Sequence, residues 1–153
     1  AAAGATVPAG LHLDGINVLP ALQGHAGTVC TRRFWQWNRY TPVPECNAAM
    51  RDGEWKLVRP VIHEAMRLPQ EEFDRDVASK RDPRNRTTIC RDPEPPRTIP
   101  PAPPAQLFNI ERDPFEQHDL AAEQPQRVSR MLAELQQWFD SVERDRASID
   151  DQW

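Results

Sequence analysis

The chain has 153 residues, with 19 lysines and arginines against 23 aspartates and glutamates, and its formal net charge is −4. It has no basic stripe with interleaved aromatic residues and no apolar run as long as a membrane span, so nucleic acid and membranes are excluded as expected partners. The length allows one domain, but 16 prolines and a hydrophobic fraction of 39% predict a small core with long irregular connections.

The N-terminal part begins with an alanine-rich segment, residues 1–10, which we expect to be the remnant of a preceding domain or linker. Residues 14–24 carry a turn signal, then apolar residues, and predict a short helical turn that ends at Gly24. Residues 32–40 predict an aromatic strand with Trp35 and Trp37 on one face and Phe34 on the other. Core packing is the expected role of these rings, and a platform for carbohydrate or a nucleobase is the alternative.

The strongest local signal is a β-hairpin over residues 48–58. Asp52-Gly53 lies between two short alternating runs and predicts a two-residue type I′ turn. The opposite pairs are then Arg51 with Glu54, Met50 with Trp55, and Ala48 with Leu57. The four apolar members of these pairs share one face of the hairpin. Because an isolated hairpin is marginal in water, that face requires further strands and a covering element.

Residues 59–104 are interrupted by prolines, which break up any long regular element. A short helix over residues 70–80 is still predicted, because Phe73 and Val77 are spaced four residues apart. The proline-rich strap, residues 92–104, is predicted to cross the domain surface as polyproline II. Its PxxP spacing leaves a docking segment for a partner as the alternative. Residues 106–110 predict a further strand.

The C-terminal part contains two helix-start signals. Asp113, Pro114 and Glu116 have the N-cap, N1 and N3 chemistry of a capping box, and Pro125 opens the last helix. That helix has the clearest periodicity in the chain, and its apolar stripe consists of Val128, Met131, Leu132, Leu135, Trp138, Phe139 and Val142. We expect the stripe to cover the apolar hairpin face and the tail from residue 143 to fray.

No catalytic, cofactor-binding or metal-ligating residue is predicted. The histidines are scattered without an acidic cluster at ligand spacing; they are His12, His25, His63 and His118. The motifs of serine hydrolases, P-loops and dinucleotide-binding folds do not occur. The cysteines lack C-x-x-C spacing and are expected to be packing thiols, with a disulfide between the first two left open; they are Cys30, Cys46 and Cys90.

Four blocks of sequence, in this order, resemble the C-terminal portion of arylsulfatase-type sulfatases. They are DGINVLPALQG at residues 14–24, RFW at 33–35, AMRDGEWKLV at 49–58 and LFNIERDPFEQHDLA at 107–121, followed by the helix that Pro125 opens. The resemblance spans residues 10–142. It is weakest over residues 59–105, a region that resembles an insertion between two strands of the family's fold.

The resemblance implies an α+β fold in which an antiparallel sheet of about four strands is packed by one C-terminal amphipathic helix, with long proline-rich connections. Residues 11–146 would form this subdomain, residues 1–10 the remnant of a catalytic domain or linker, and residues 147–153 a frayed tail. Sulfatases hydrolyse sulfate esters with a formylglycine, made from the cysteine or serine of a C/S-x-P-S-R motif, and a calcium ion in a large N-terminal domain. That motif is absent here, so no site residue is carried over.

For a parent enzyme the resemblance implies calcium, formylglycine, a sulfated small molecule or glycan as substrate, and the missing catalytic domain as partner. A periplasmic or secreted location is expected for that parent, and the compartment of the chain itself stays open. Two other classes also stay open. A free-standing interaction module would use the strap or the aromatic strand, and a small metal-dependent hydrolase would depend on the scattered histidines alone.

Overall fold

The computed structural model describes residues 15–25, 32–82 and 96–148, together with the single residues 4, 10, 84 and 94. In chain order its elements are α1 (Leu19–Leu22), β1 (Arg33–Gln36), β2 (Ala48–Asp52), β3 (Trp55–Arg59), a 3₁₀ turn (His63–Ala65), α2 (Gln70–Arg81), β4 (Gln106–Asn109) and α3 (Pro125–Ala147). The expected α+β class is confirmed. The helix predicted over residues 70–80 and the strand predicted over 106–110 are also confirmed, each within one residue. Most of segment 1–10 lies outside the described residues.

The strands form one antiparallel sheet in the order β1-β2-β3-β4. This meander needs only sequence-adjacent pairing, although 46 residues separate the end of β3 from the start of β4. Those residues hold α2 and the proline-rich strap, whose described part, residues 96–104, has neither helix nor strand. The sheet is therefore continuous in space, whereas the chain leaves it once for a long proline-rich connection.

The β2–β3 turn lies one residue later than the sequence predicts. Its pairs are Asp52 with Trp55, Arg51 with Lys56, Met50 with Leu57, Ala49 with Val58 and Ala48 with Arg59. The loop is consequently Gly53-Glu54, and the predicted cross-strand partners were wrong. Gly53 has a φ of 61°, and Glu54 does not share its positive φ. A single positive φ at a first-position glycine is typical of a type II′ turn, in place of the predicted type I′.

The predicted apolar face survives this change of partners. Moving the turn by one residue shifts each residue's opposite partner by two positions, and because side chains alternate with period two, every side chain keeps its side of the sheet. Asp52 is held in the strand by α3, since Arg130 Nη2 donates to Asp52 Oδ2 at 3.0 Å. The turn position and the face were therefore separate predictions, and only the second was right.

Helix α3 covers one side of the sheet and completes the core, as predicted. The buried cluster consists of Ala48, Met50, Leu57, Leu107, Met131 and Leu135. Phe34 adds a stacked contact with Trp138, with ring centroids 5.3 Å apart and planes inclined by 8°. Trp55 packs beside this core. The Cζ atom of Arg127 lies over its ring, 4.2 Å from the ring centroid, in a cation–π contact.

Helix α3 has 23 residues and extends to Ala147, so the expected fraying from residue 143 is wrong. Two features of the last turn explain the extension. Arg146 forms an ion pair with Glu143 one turn earlier, and the basic side chains Arg144 and Arg146 lie at the negative end of the helix dipole. Residues 149–153 lie outside the described residues.

Helix α1 ends as predicted, with Gly24 in the left-handed conformation at a φ of 80°. The helix-start signal at Asp113 produces one short turn, as expected, but no capping box. The chain makes a single turn there, in which Glu116 N donates to Asp113 O at 3.1 Å. Glu116 then takes a φ of 55°, which a right-handed helix cannot contain. Its carboxylate binds Lys56 Nζ of β3 at 2.6 Å, and this contact turns the residue away from the capping-box geometry.

Candidate interaction surface

The sheet has a second side, away from α3, that the described residues leave largely open. The strand registers place eight side chains on this side, of which Gln106 and the buried Phe108 belong to β4. The six on the other strands are here called the open face: Arg33, Trp35, Ala49, Arg51, Lys56 and Val58. These residues alternate with the core residues along β1, β2 and β3. A sheet with one covered and one open face is normal for antiparallel strands, but the open face is then usually polar. Here it combines aromatic and cationic side chains.

Three cations lie in one row across the open face. Arg33 of β1 is directly opposite Arg51 of β2, and Arg51 is directly opposite Lys56 of β3. Lys56 is neutralised by Glu116, with Nζ and Oε1 2.6 Å apart. Like charges in directly opposite positions destabilise a sheet. This row is therefore not explained by the stability of the sheet.

The two arginines of the row form no ion pair with a carboxylate among the described residues. Arg33 Nη1 donates to Arg32 O at 2.9 Å, and Arg51 Nε donates to Gly53 O at 2.9 Å. Both side chains are exposed. The row consequently presents two uncompensated guanidinium groups to any partner that approaches this side.

Aromatic side chains border the same face. Trp35 is 50% exposed and Trp37 is 66% exposed, and Val61 beyond β3 is 59% exposed. These three residues line a groove of about 550 Å³ that also touches Phe34 and Met66. Core packing, the expected role of the aromatic run, is confirmed for Phe34 and wrong for the two tryptophans. The predicted strand also ends at Gln36, so Trp37 lies beyond it.

A smaller groove of about 490 Å³ lies between the open face and the turn after β4. Trp35, Ala49, Arg51 and Lys56 form its sheet side, and Ile110, Pro114 and Glu116 form its other side. Phe115 in this turn is 81% exposed. Because Glu116 is both a wall of the groove and the partner of Lys56, the turn at residues 113–116 sets the local charge of this end of the surface.

The carboxylate of Asp113 holds that turn. Asp113 Oδ2 accepts the backbone N–H of His118 at 2.8 Å, and this hydrogen bond is the main cause of a lowered Asp113 pKa. His118 Nδ1 lies 3.6 Å from the same oxygen. Local capping therefore explains the polar contacts of His118, and Asp113 is the acceptor.

Acid should therefore weaken this turn. A carboxyl group whose pKa is lower in the folded chain stabilises the fold above its unfolded pKa, and that contribution is lost as pH falls through the folded pKa. We expect Asp113→Asn to be less stable than the parent chain at neutral pH and the gap to close toward strongly acidic pH. Urea denaturation at a series of pH values measures this gap. The exposed Glu111→Gln is the control, and an equal pH response of both variants would contradict the assignment.

Other residues that carry chemistry do not converge. His25, His63 and His118 lie in separate parts of the chain, and no group of three potential metal ligands is found among the described residues. Cys46 is a free, buried thiol, and burial raises its pKa, which is typical of a packing cysteine. His12, Cys30 and Cys90 lie outside the described residues.

Sequence reasoning missed the row of cations. The predicted pairing of Arg51 with Glu54 hid it, because the shifted turn gives the charged residues of the hairpin separate partners. Glu54 Oε2 accepts Asn109 Nδ2 of β4 at 2.9 Å, whereas Lys56 pairs with Glu116. A signal was present in the alternation of Arg33 with Trp35 and of Arg51 with Ala49, but reading it requires the pairing of β1 with β2.

A scan of protein-family models and a search of curated proteins found no match to this chain. Among the described helices, none is long and apolar enough to cross a lipid bilayer.

Proposed function

We propose that this chain is the C-terminal subdomain of a sulfatase and that its role is to support a catalytic domain. In this proposal the subdomain contributes no residue to hydrolysis, and formylglycine, calcium and the sulfate ester all belong to the catalytic domain. The partner is that domain, and the substrate of the whole enzyme is a sulfated small molecule or glycan. The open face is the part of the subdomain available for contact.

The observation that carries the proposal is the agreement between the four sequence blocks and the fold. The blocks at residues 33–35, 49–58 and 107–121 supply the strands β1 to β4, and the helix opened by Pro125 covers the sheet that they form. Three of the four blocks thus coincide with strands, the block at residues 14–24 contains helix α1, and the weakly similar region 59–105 coincides with the connection between β3 and β4. The exposed Trp35, Trp37 and Val61 are the kind of apolar surface that marks a contact with another domain.

The role as a support has a direct biochemical test. We expect the purified 153-residue chain to leave 4-nitrophenyl sulfate unhydrolysed, because no nucleophile with an activating base occurs among the described residues. We also expect calcium chloride to leave its melting temperature unchanged. Release of 4-nitrophenol above the buffer blank would contradict the proposed role, and a calcium-dependent rise in melting temperature would contradict the assignment of calcium to another domain.

The sulfatase identity has a separate test in the coding sequence. We expect an in-frame C/S-x-P-S-R motif upstream of the codon for Ala1. Its presence would establish the class of the parent enzyme. An upstream open reading frame without the motif would refute the class and favour the second candidate.

That second candidate is a non-enzymatic interaction module. The observation that favours it is the combination on one surface of two exposed tryptophans and two arginines without carboxylate partners among the described residues. It differs from the first candidate in predicting a binding partner for the chain on its own. The proline-rich strap is less suited to that role, since Ile99 and Ala102 are packed against the buried Cys46 and Ile62.

A further inference from the structure

The two outer strands of the sheet have edges that differ in how their backbone groups are satisfied. On the outer side of β4, Leu107 N donates to Asp119 Oδ1 at 3.0 Å, and Leu107 O accepts the N–H of Leu120 at 2.8 Å. Asn109 O accepts the N–H of Asp113 at 2.8 Å. The segment after β4 thus occupies the hydrogen-bonding groups of that edge, which is how proteins protect an edge strand.

The β1 edge lacks such protection within the described ranges. Trp37 N donates to Asn47 O at 2.9 Å, and in an antiparallel ladder the residues that bond to the neighbouring strand alternate. Trp35 and Arg33 therefore point their backbone groups toward β2, and Phe34 and Gln36 point theirs away from the sheet. No described residue bonds to these outward N–H and C=O groups.

We propose that the β1 edge binds an extended acidic peptide segment, which adds to the sheet as a fifth strand. Backbone groups of Phe34 and Gln36 would hold the added strand in register, as in other cases of strand addition. Its acidic side chains on the open-face side would meet Trp35 and the Arg33–Arg51 pair. This inference does not rest on the sulfatase proposal.

Charge decides in favour of an acidic partner over a second copy of the chain. An antiparallel self-pairing about Trp35 would place Arg33 of each copy opposite Trp37 of the other. It would supply no carboxylate, so the Arg33–Arg51 pair of both copies would stay without an anion. A strand with alternating glutamates supplies the missing anions on the side where the arginines lie.

The test uses a synthetic peptide of alternating glutamate and valine, about seven residues long, which matches the length of a typical strand. We expect it to bind the full chain and to slow hydrogen exchange at the amides of Phe34 and Gln36. A lysine-valine peptide of the same length should bind about tenfold more weakly or worse, since it opposes the arginines with like charge. The arginine contribution is tested by Arg33→Gln with Arg51→Gln, for which we expect a rise in Kd of about tenfold.

Gln36 offers a matched pair of variants. Gln36→Pro removes the outward N–H and the side-chain amide, and it costs no bond to β2, because that N–H points away from β2; an edge strand tolerates proline there. Gln36→Ala loses the same side-chain bond, which Nε2 donates to Val43 O at 2.8 Å, but it keeps the N–H. We expect the proline variant to bind at least about tenfold more weakly than the alanine variant. Arg144→Gln, at the far end of α3, should bind as the parent chain does.

Several results would overturn the inference. Equal binding by the two Gln36 variants would contradict the proposed geometry, and so would equal competition by the glutamate and lysine peptides. Absence of detectable binding at millimolar peptide would also overturn the inference. Slow exchange at Phe34 and Gln36 without peptide would show that the edge is already occupied, by the chain's own segments if the protein sediments as a monomer and by a second copy if it sediments as a dimer.

Discussion

Replacing Leu135 by alanine is expected to lower the free energy of unfolding by about 2–5 kcal/mol, the largest effect of any single substitution considered for this chain. Leu135 is 1% exposed and lies in the cluster that joins α3 to the sheet. The lost methyl groups leave a cavity that a helix packed against β2 and β3 closes only in part. Because domains of this size are stable by about 5–15 kcal/mol, the change removes a large share of the total.

Urea denaturation followed by tryptophan fluorescence measures the effect, with an unchanged m-value as the sign that the unfolded state is the same. Leu22→Ala makes the same chemical change at a side chain that is 79% exposed, and we expect a loss within about 0.5 kcal/mol there. If Leu135→Ala does not fold, Leu135→Met keeps the volume and should cost less than about 1.5 kcal/mol. Similar losses for the two alanine variants would show that α3 does not close the core.

The same cluster shows why the main architecture could be predicted from the sequence. The stripe on α3 repeats every three to four residues over about four turns, and such a long signal identifies the buried face without any knowledge of the sheet. The hairpin face was equally secure, because an error of one residue in the turn leaves the side of every residue unchanged. Both predictions depend on periodicity, which is local and redundant.

The candidate surface could not be predicted in the same way, because it depends on single pairings. The row of Arg33, Arg51 and Lys56 exists only once β1 is paired with β2 and the hairpin turn is placed at Gly53-Glu54. The sequence has no direct signal for the pairing of β1 with β2. For the position of the turn, Asp52-Gly53 gave a misleading signal. The capping box at Asp113 failed for a related reason, since a long-range ion pair from Glu116 to Lys56 outweighed the local preference.

Arg97, on the proline-rich strap, is another long-range contact that the sequence did not reveal. Its side chain is only 10% exposed. Its Nη1 donates to Arg39 O at 2.8 Å and to Ala65 O at 3.1 Å, and its Nη2 donates to Thr41 O at 3.0 Å and to Glu94. One guanidinium thus joins the strap to the loop after β1 and to the 3₁₀ turn.

We expect Arg97→Met to lower the free energy of unfolding by about 1–3 kcal/mol, because it removes the guanidinium donor from three carbonyls while keeping most of the side-chain volume. The buried Ala65 carbonyl then keeps only the backbone N–H of Arg39, at 3.2 Å. Arg97→Lys should recover less than half of the loss, since one ammonium cannot reproduce the planar fork that reaches three carbonyls. Arg84→Met, at a side chain that is 89% exposed and bound only to Asp82 among the described residues, is the control and should leave the free energy of unfolding essentially unchanged.

The site of proteolytic cleavage distinguishes local unfolding from global unfolding. Arg97 also lies over the Tyr40 ring at 5.2 Å, so its loss should release the segment between β1 and β2 before the core opens. Limited proteolysis of Arg97→Met should therefore cut between residues 37 and 47 under conditions in which Leu135→Ala is degraded throughout. Resistance of that segment in the methionine variant, together with parent-like stability in urea, would show that the strap is held by Ile99 and Ala102 without the guanidinium.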